Sequence, residues 1–347
     1  TLESIAYFLD VYRDVFVHNR LPFNSAKPVI GTYCMMIPEE IIYAAGCIPV
    51  KLCGGSHEAS IAGDAYSPRD LCPLAKAAAG FTISHDFTVY NACDAVIIPT
   101  SCDHKRKLSS LLAEHTEVWL MDVPHIKDND SSRAAWNEEL FALLRNLERL
   151  VARKSGQKKV TAKDLDQSIT QLGEAHRQAR RLYDFRKIEP AVISGTEAAL
   201  VSGAYAFDSA PSWTRATRTL NDELQHRIAT AATASEDPKA APPRIFLAGC
   251  PSIFPNFKIL SLTEEMGGLV VADESCTGDR YLYDPVVSTE RSFNSAITAI
   301  AARYIMPCMC PIFTPNTDRI TKLKNTVADF KVEGLIYYVL KGCVLYD

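Results

Sequence analysis

The stretch "PVIGTYCMMIPEEIIYAAGCIPVKLCGG", residues 28–55, decides the reading of the fold. "PVIGTYC" has the apolar run of a buried strand ending in a thiol. Pro38 then opens "PEEIIYAAG", with Glu39 and Glu40 in its first turn and Gly46 at its end, which are the start and stop signals of a helix. "IPVKLCGG" is a second strand that also stops at a cysteine, followed by two glycines. Strand, helix, strand, each strand near-continuously apolar, predicts a parallel sheet covered on both faces.

The pattern extends on both sides of this stretch. "DAVIIPTSCD" (94–103) and "TEVWLMDVP" (116–124) add a third and a fourth strand. From Arg244 the same pattern returns: "RIFLAGCP", "GGLVVADESC" and "EGLIYYVLKGC" again place a cysteine just past an apolar run. Between the two regions Trp136, Leu140, Leu144, Leu147 and Val151 recur at helical spacing. Thr161 with Asp164 resembles a capping box, and Leu165, Ile169, Leu172, Ala179 and Leu182 continue a second amphipathic helix. "ATAATASEDPKAAPP" (229–243) reads as a surface linker. The expected fold is α/β: two Rossmann-like domains with parallel sheets, related by pseudo-symmetry, with a helical middle segment. The expected boundaries are 1–130, 131–242 and 243–347.

Composition narrows the function classes. The 347 residues are 47% apolar and 22% charged, ordinary for a globular chain of about two domains. A net charge of −4 gives no electrostatic footprint for nucleic acid. No apolar run reaches the ~18 residues of a membrane span, and no signal peptide is visible. The chain starts without Met, so it reads as processed or incomplete. The eleven cysteines are the unusual feature. Their odd number and the length of the chain argue against a secreted disulfide framework and for a reducing, cytoplasmic setting. There is no Cys-x-x-Cys, so zinc ribbons and ferredoxin runs lose their signature. The thiols are therefore either inert core residues or ligands assembled by the fold.

Their placement favours ligands. Cys34, Cys53, Cys102, Cys250, Cys276 and Cys343 each follow a predicted strand, and the carboxyl ends of parallel strands form the binding crevice of an open sheet. Cys72 precedes a helix in "SPRDLCPLAK", and Cys308 and Cys310 follow a short apolar run in "YIMPCMCP". Cys47 and Cys93 begin their strands, which puts them at the opposite edge as structural residues. A buried cysteine often packs as a small hydrophobe, but repetition at one sheet edge in two regions is harder to assign to packing. The turn "SCDHKRK" (101–107) fits the same picture: thiolates around iron leave a net anion, and nearby cations offset it. Lys107 reads as part of a solvated basic face.

Taken together, "PEEIIYAAGCIPVKLCGG", "SPRDLCPLAKAAAGF", "IPTSCDHKRK", "LAGCP", "ESCTGD", "PCMCPIFTPNTDR" and "LIYYVLKGCVLYD" resemble the 2-hydroxyacyl-CoA dehydratase and benzoyl-CoA reductase family, nearest its double-cubane cluster branch. The resemblance covers almost the whole chain. It implies two α/β domains with iron–sulfur clusters between them, and Cys34, Cys72 and Cys102 as ligands of one cubane. Cys276, Cys308 and Cys343 would serve the other, with Cys310 the runner-up to Cys308. Asn316 and Arg319, in "TPNTDR", would support the site. The resemblance further implies a homodimer, a small or activated substrate, and a separate dimeric ATP-hydrolysing iron–sulfur partner as the source of low-potential electrons. In keeping with that, the chain has no Gly-x-x-x-x-Gly-Lys-Ser/Thr loop of its own. The alternatives are a dehydratase subunit with a single 4Fe-4S cluster and a non-catalytic cluster carrier. One departure is His104, where the family usually has glycine after "SCD".

Overall fold

The computed structural model describes residues 2–23, 26–156, 159–231, 241–288, 290 and 292–347. An amphipathic helix, α1 (Ile5–Phe16), precedes strand β1 (Val29–Thr32). Then follow α2 (Glu39–Ala44), β2 (Ile48–Lys51), α3 (His57–Asp64), α4 (Pro73–Ser84), α5 (Thr88–Asn91), β3 (Ala95–Pro99), α6 (Asp103–Leu112) and β4 (Val118–Met121). The four strands form one parallel sheet in the order β2-β1-β3-β4. Every residue of β1 and β3 is buried, which is why both read as unbroken apolar runs rather than alternating ones.

Four helices follow: α7 (Asp130–Ser155), α8 (Ala162–Phe185), α9 (Gly195–Ala204) and α10 (Ala210–Ala231). The Thr161–Asp164 capping box is present at the start of α8, and Ser194 with Glu197 makes a second one before α9. These helices pack on both α/β regions. Trp136 of α7 is fully buried and donates its indole N–H to the Ala301 carbonyl, 3.0 Å away. Arg186, just past α8, pairs with Asp273 at 2.8 Å. The expected linker, 229–243, falls mostly outside the described residues (232–240), and its first residues belong to α10, which runs to Ala231.

The C-terminal region contains β5 (Arg244–Gly249), α11 (Lys258–Glu265), β6 (Leu269–Asp273), α12 (Asp279–Leu282), α13 (Phe293–Ile305), α14 (Thr317–Asp329) and β7 (Gly334–Tyr338). Its sheet is parallel in the order β6-β5-β7. Both sheets thus place their second strand on one side of the first and their third on the other, as a doubly wound α/β unit does. β7 is an edge strand with Leu335 and Tyr337 exposed, so its apolar sequence does not mean full burial.

The pair α3–α4 positions one thiol. The two helices approach so closely that a Cβ on Gly80 would lie 1.9 Å from the Ala59 carbonyl oxygen, and one on Gly63 2.0 Å from that of Lys76. Cys72 is the residue capping α4, with Pro73 at the first helical position. Gly80→Ala should therefore push the helices apart, costing about 1–3 kcal/mol. A urea midpoint that falls, together with faster alkylation of Cys72, checks this.

Candidate metal centre

The carboxyl ends of β1, β2 and β3 and of β5, β6 and β7 border one cavity of about 160 Å³. Four thiols reach it from the N-terminal region: Cys34, Cys53, Cys72 and Cys102. Four more reach it from the C-terminal region: Cys250, Cys276, Cys310 and Cys343. None of the eleven cysteines is in a disulfide. Cys34 leaves β1 in the left-handed region at φ 74°, which is uncommon for a residue with a Cβ and turns the chain sharply at the cavity wall. Cys102 caps α6 in extended backbone. Gly249 (φ 103°) and Gly342 (φ 78°) make the corresponding turns before Cys250 and Cys343.

Of the two cysteines in "PCMCP", Cys310 lines the cavity and Cys308 does not; the Cys308 thiol points to the Met36 sulfur, 3.7 Å away. Buried Lys127 fastens this loop through the carbonyls of Met306 and Cys308, at 3.0 and 3.2 Å. Cys47 is buried away from the cavity, and Cys93 bonds to the Val89 carbonyl at 3.2 Å. Both are strand-start residues, and neither lines the cavity.

The basic turn after Cys102 divides. Lys105 turns inward and donates to the Ser101 hydroxyl at 2.9 Å, while that hydroxyl lies 3.8 Å from the Cys34 sulfur. Arg106 and Lys107 face solvent. His104 spans the two regions, its Nε2 2.8 Å from the Gly342 carbonyl beside Cys343. On the opposite wall Arg280 contacts the Cys276 sulfur at 3.7 Å and the Tyr346 hydroxyl at 2.5 Å. Glu274 holds Arg280 at 2.9 Å and receives both arms of Arg319, at 2.9 and 2.6 Å, while also accepting from the Gly249 N–H at 2.6 Å. Arg319 therefore supports the site through Glu274. Asn316 caps α14 without a side-chain bond and lies off the cavity.

Burial pushes most of these thiols up, as it disfavours the thiolate. Two go the other way. At Cys34 burial raises the value, but the Lys105 ammonium, its hydrogen bond and the Met36 N–H bring it down to about 7. At Cys343 the Cys250 thiol acts as donor, and with the Leu345 and Tyr346 N–H groups it overcomes burial and lowers the value to about 6.

Among the described residues no three His, Cys, Asp or Glu side chains converge as a single ion would require. A cluster makes a different demand, since each thiolate binds its own iron and the donors stand apart around a body. Eight thiols around one cavity, with Lys105 and Arg280 beside two of them, fit that demand and not a zinc-like site. Sequence reading did not single out Glu274, Arg280 or Lys51. A spacing signal existed for Arg280, which follows Cys276 by four residues much as Lys105 follows Cys102 by three.

Comparison with known proteins agrees with this chemistry. The sequence profile of the 2-hydroxyglutaryl-CoA dehydratase D-component family matches residues 34–347. YjiM of Escherichia coli (strain K12), named for a dehydratase subunit, is 30% identical over 92% of this chain and 80% of its own. One of the subunits of benzoyl-CoA reductase from Thauera aromatica is 25% identical over 88% of this chain and 78% of its own. The beta subunit of (R)-2-hydroxyglutaryl-CoA dehydratase from Acidaminococcus fermentans is 21% identical over 92% and 81%.

The charge on Cys34 is directly testable in metal-free protein. Its alkylation rate should rise with pH through about 7, because the thiolate is the nucleophile and its fraction grows as the proton is lost. Lys105→Met removes the stabilising ammonium, so the midpoint should move upward. The rate at neutral pH should then fall by about tenfold for each pH unit that the midpoint moves. Mass-resolved iodoacetamide kinetics provide the measurement.

Proposed function

This chain belongs to the 2-hydroxyglutaryl-CoA dehydratase D-component family, and from that membership we propose that it is an iron–sulfur reductase of the double-cubane type. The observation that carries the reading is the four-plus-four division of thiols around one cavity. Three thiolates suffice for one cubane with an open iron, so a single-cubane site would leave most of the lining thiols without a task. Cys34, Cys72 and Cys102 are proposed for one cubane, and Cys276, Cys310 and Cys343 for the other. Cys310 takes the position first expected of Cys308 because it is the one that lines the cavity.

When bound, such a cluster supplies electrons below ordinary cellular potentials to a small or activated substrate. The residues of the chain do the remaining work. Lys105 and Arg280 offset the thiolate charge from opposite walls. His104 ties the α6 start to the Cys343 turn and so holds the two walls together. Phe254, Ile253 and Ile312 line the chamber and limit water. Lys51 lines the chamber, buried against Glu39 at 3.4 Å and over the Tyr281 ring at 3.1 Å; burial pushes its pKa down and Glu39 opposes this, and its amine is in place to orient an anionic or carbonyl group. A separate ATP-hydrolysing iron–sulfur partner is proposed as electron donor, the chain acting as a homodimer in the cytoplasm.

The names of the relatives favour a second reading, a dehydratase subunit holding a single 4Fe-4S cluster and working with a different subunit. Iron counting separates the two. Anaerobically purified chain should hold about eight irons under the double-cubane reading; a reproducible four at full occupancy supports the dehydratase subunit. In the same assay Cys102→Ala should lose or convert a cubane. Cys93→Ala should keep its iron and cost about 1 kcal/mol through lost packing. Equal iron loss in both would remove the argument from strand polarity.

Turnover provides the other test. Reduction of a small substrate with a strong reductant should require the partner and hydrolysable ATP, and should stop with a non-hydrolysable analogue. Full steady turnover by the chain alone, unaffected by partner and ATP, would rule out the proposed electron source. A chain that binds iron but turns over under neither condition is a carrier.

A further inference from the structure

Two of the eight cavity thiols, Cys53 and Cys250, lie outside the six proposed ligands, and each sits beside one of them. In the N-terminal sheet the last parallel pair is Thr32 with Lys51. Cys34 and Cys53 both lie two residues beyond that pair, so the parallel register brings them out side by side. Both side chains line the cavity. In the C-terminal sheet the last pair of β5 and β7 is Gly249 with Tyr338, and the Cys250 N–H continues the ladder to the Tyr338 carbonyl at 2.7 Å. The turn at Gly342 then folds Cys343 back to the cavity that Cys250 also lines. The Leu340 N–H, 3.4 Å from the Cys250 sulfur, holds that thiol in place.

We propose that Cys53 and Cys250 are reserve ligands of the metal centre, Cys53 for the position of Cys34 and Cys250 for that of Cys343. This rests on the iron–sulfur reading above. The chemistry is ordinary ligand substitution. When the neighbouring thiolate is absent, the S–H bond of the reserve thiol breaks, its proton passes to solvent, and an iron–sulfur bond forms in the vacated position with no change of oxidation state. A cysteine side chain has a single torsion to adjust, so moving between staggered wells re-aims the sulfur without moving the strand. Cys102 has no such arrangement, for β3 is flanked by β1, which leads to Cys34, itself a proposed ligand, and by β4, whose end carries no cysteine. The prediction is therefore asymmetric: some ligand positions tolerate loss and others do not.

Iron and sulfide counts on anaerobically purified full-length variants test it, with the electron paramagnetic resonance spectrum as a second readout. Cys34→Ala and Cys343→Ala should keep most of the wild-type iron with an altered spectrum. The double variants Cys34→Ala/Cys53→Ala and Cys343→Ala/Cys250→Ala should each lose about half of it, as expected of Cys102→Ala. Single variants that lose as much as the doubles, beside an iron-loaded wild type, overturn the reserve role and leave the iron–sulfur reading standing. A wild type without iron overturns both. If the double variants fail to fold, metal-free wild type gives the answer. A thiol-bridging bimane should join Cys34 to Cys53 and Cys250 to Cys343 in peptide maps, and failure at both pairs shows the thiols too far apart to substitute for one another.

Discussion

Parallel pairing forces every strand of a sheet to end on the same edge, and that constraint organises this molecule. A cysteine placed just after a strand in such a sheet cannot avoid the shared edge. β1, β2 and β3 deliver Cys34, Cys53 and Cys102 there, and β5, β6 and β7 deliver Cys250, Cys276 and Cys343. Because the two edges border one cavity, thiols far apart in the sequence are gathered without a local motif. The spacing that a zinc ribbon writes into four nearby residues is here spread over most of the chain and restored by the sheet. Cys47 and Cys93 follow the same geometry in the opposite sense, since the strand starts lie at the far edge.

Collecting thiols in an apolar chamber raises an electrostatic difficulty, and the walls answer it with buried cations. Lys105 and Arg280 are each tied to a polar partner as well as to the neighbourhood of a thiol, so neither is a bare buried charge. The C-terminal wall goes further. Glu274 accepts from two guanidinium groups and from the Gly249 N–H, which fixes the strand end just before Cys250. Losing one partner from such a cluster leaves an uncompensated buried charge, which is why its members act as a unit.

Much of the fold was legible in the sequence. Apolar runs closed by Gly or Cys marked the strands, and the Thr161–Asp164 box marked α8. What escaped was tertiary. Cys308 and Cys310 stand two residues apart in a loop without periodicity, and that loop is fastened by Lys127, far away in the chain. "HKRK" reads as uniformly basic, yet His104 and Lys105 turn to the cavity while Arg106 and Lys107 face solvent, because a helix start spreads consecutive side chains around its axis. Glu274 looked like any polar residue after a strand until Arg280 and Arg319 were brought to it. The apolar run of β7 read as buried, but one face of this strand, with Leu335 and Tyr337, is exposed.

The chamber also depends on how the two α/β regions are held relative to one another, and apolar contact alone is a weak guide to orientation because it is non-directional. Directional bonds supply what it lacks. The Tyr304 hydroxyl of α13 donates to Glu40 of α2 at 2.8 Å and accepts the Glu39 N–H at 3.1 Å, so one hydroxyl joins the C-terminal region to the N-terminal. Tyr205, from the helices between, donates to Glu39 at 2.7 Å, and Arg303 reaches the Tyr281 and Asp284 carbonyls at 2.5 and 2.7 Å. Glu39 in turn holds Lys51 at the cavity floor. Three parts of the chain thus meet in one buried polar group of side chains directly behind the thiols. Each bond in it has a narrow range of length and angle, so a shift of one region against the other would break several at once, and the separation of the two thiol-bearing edges is set by that cost.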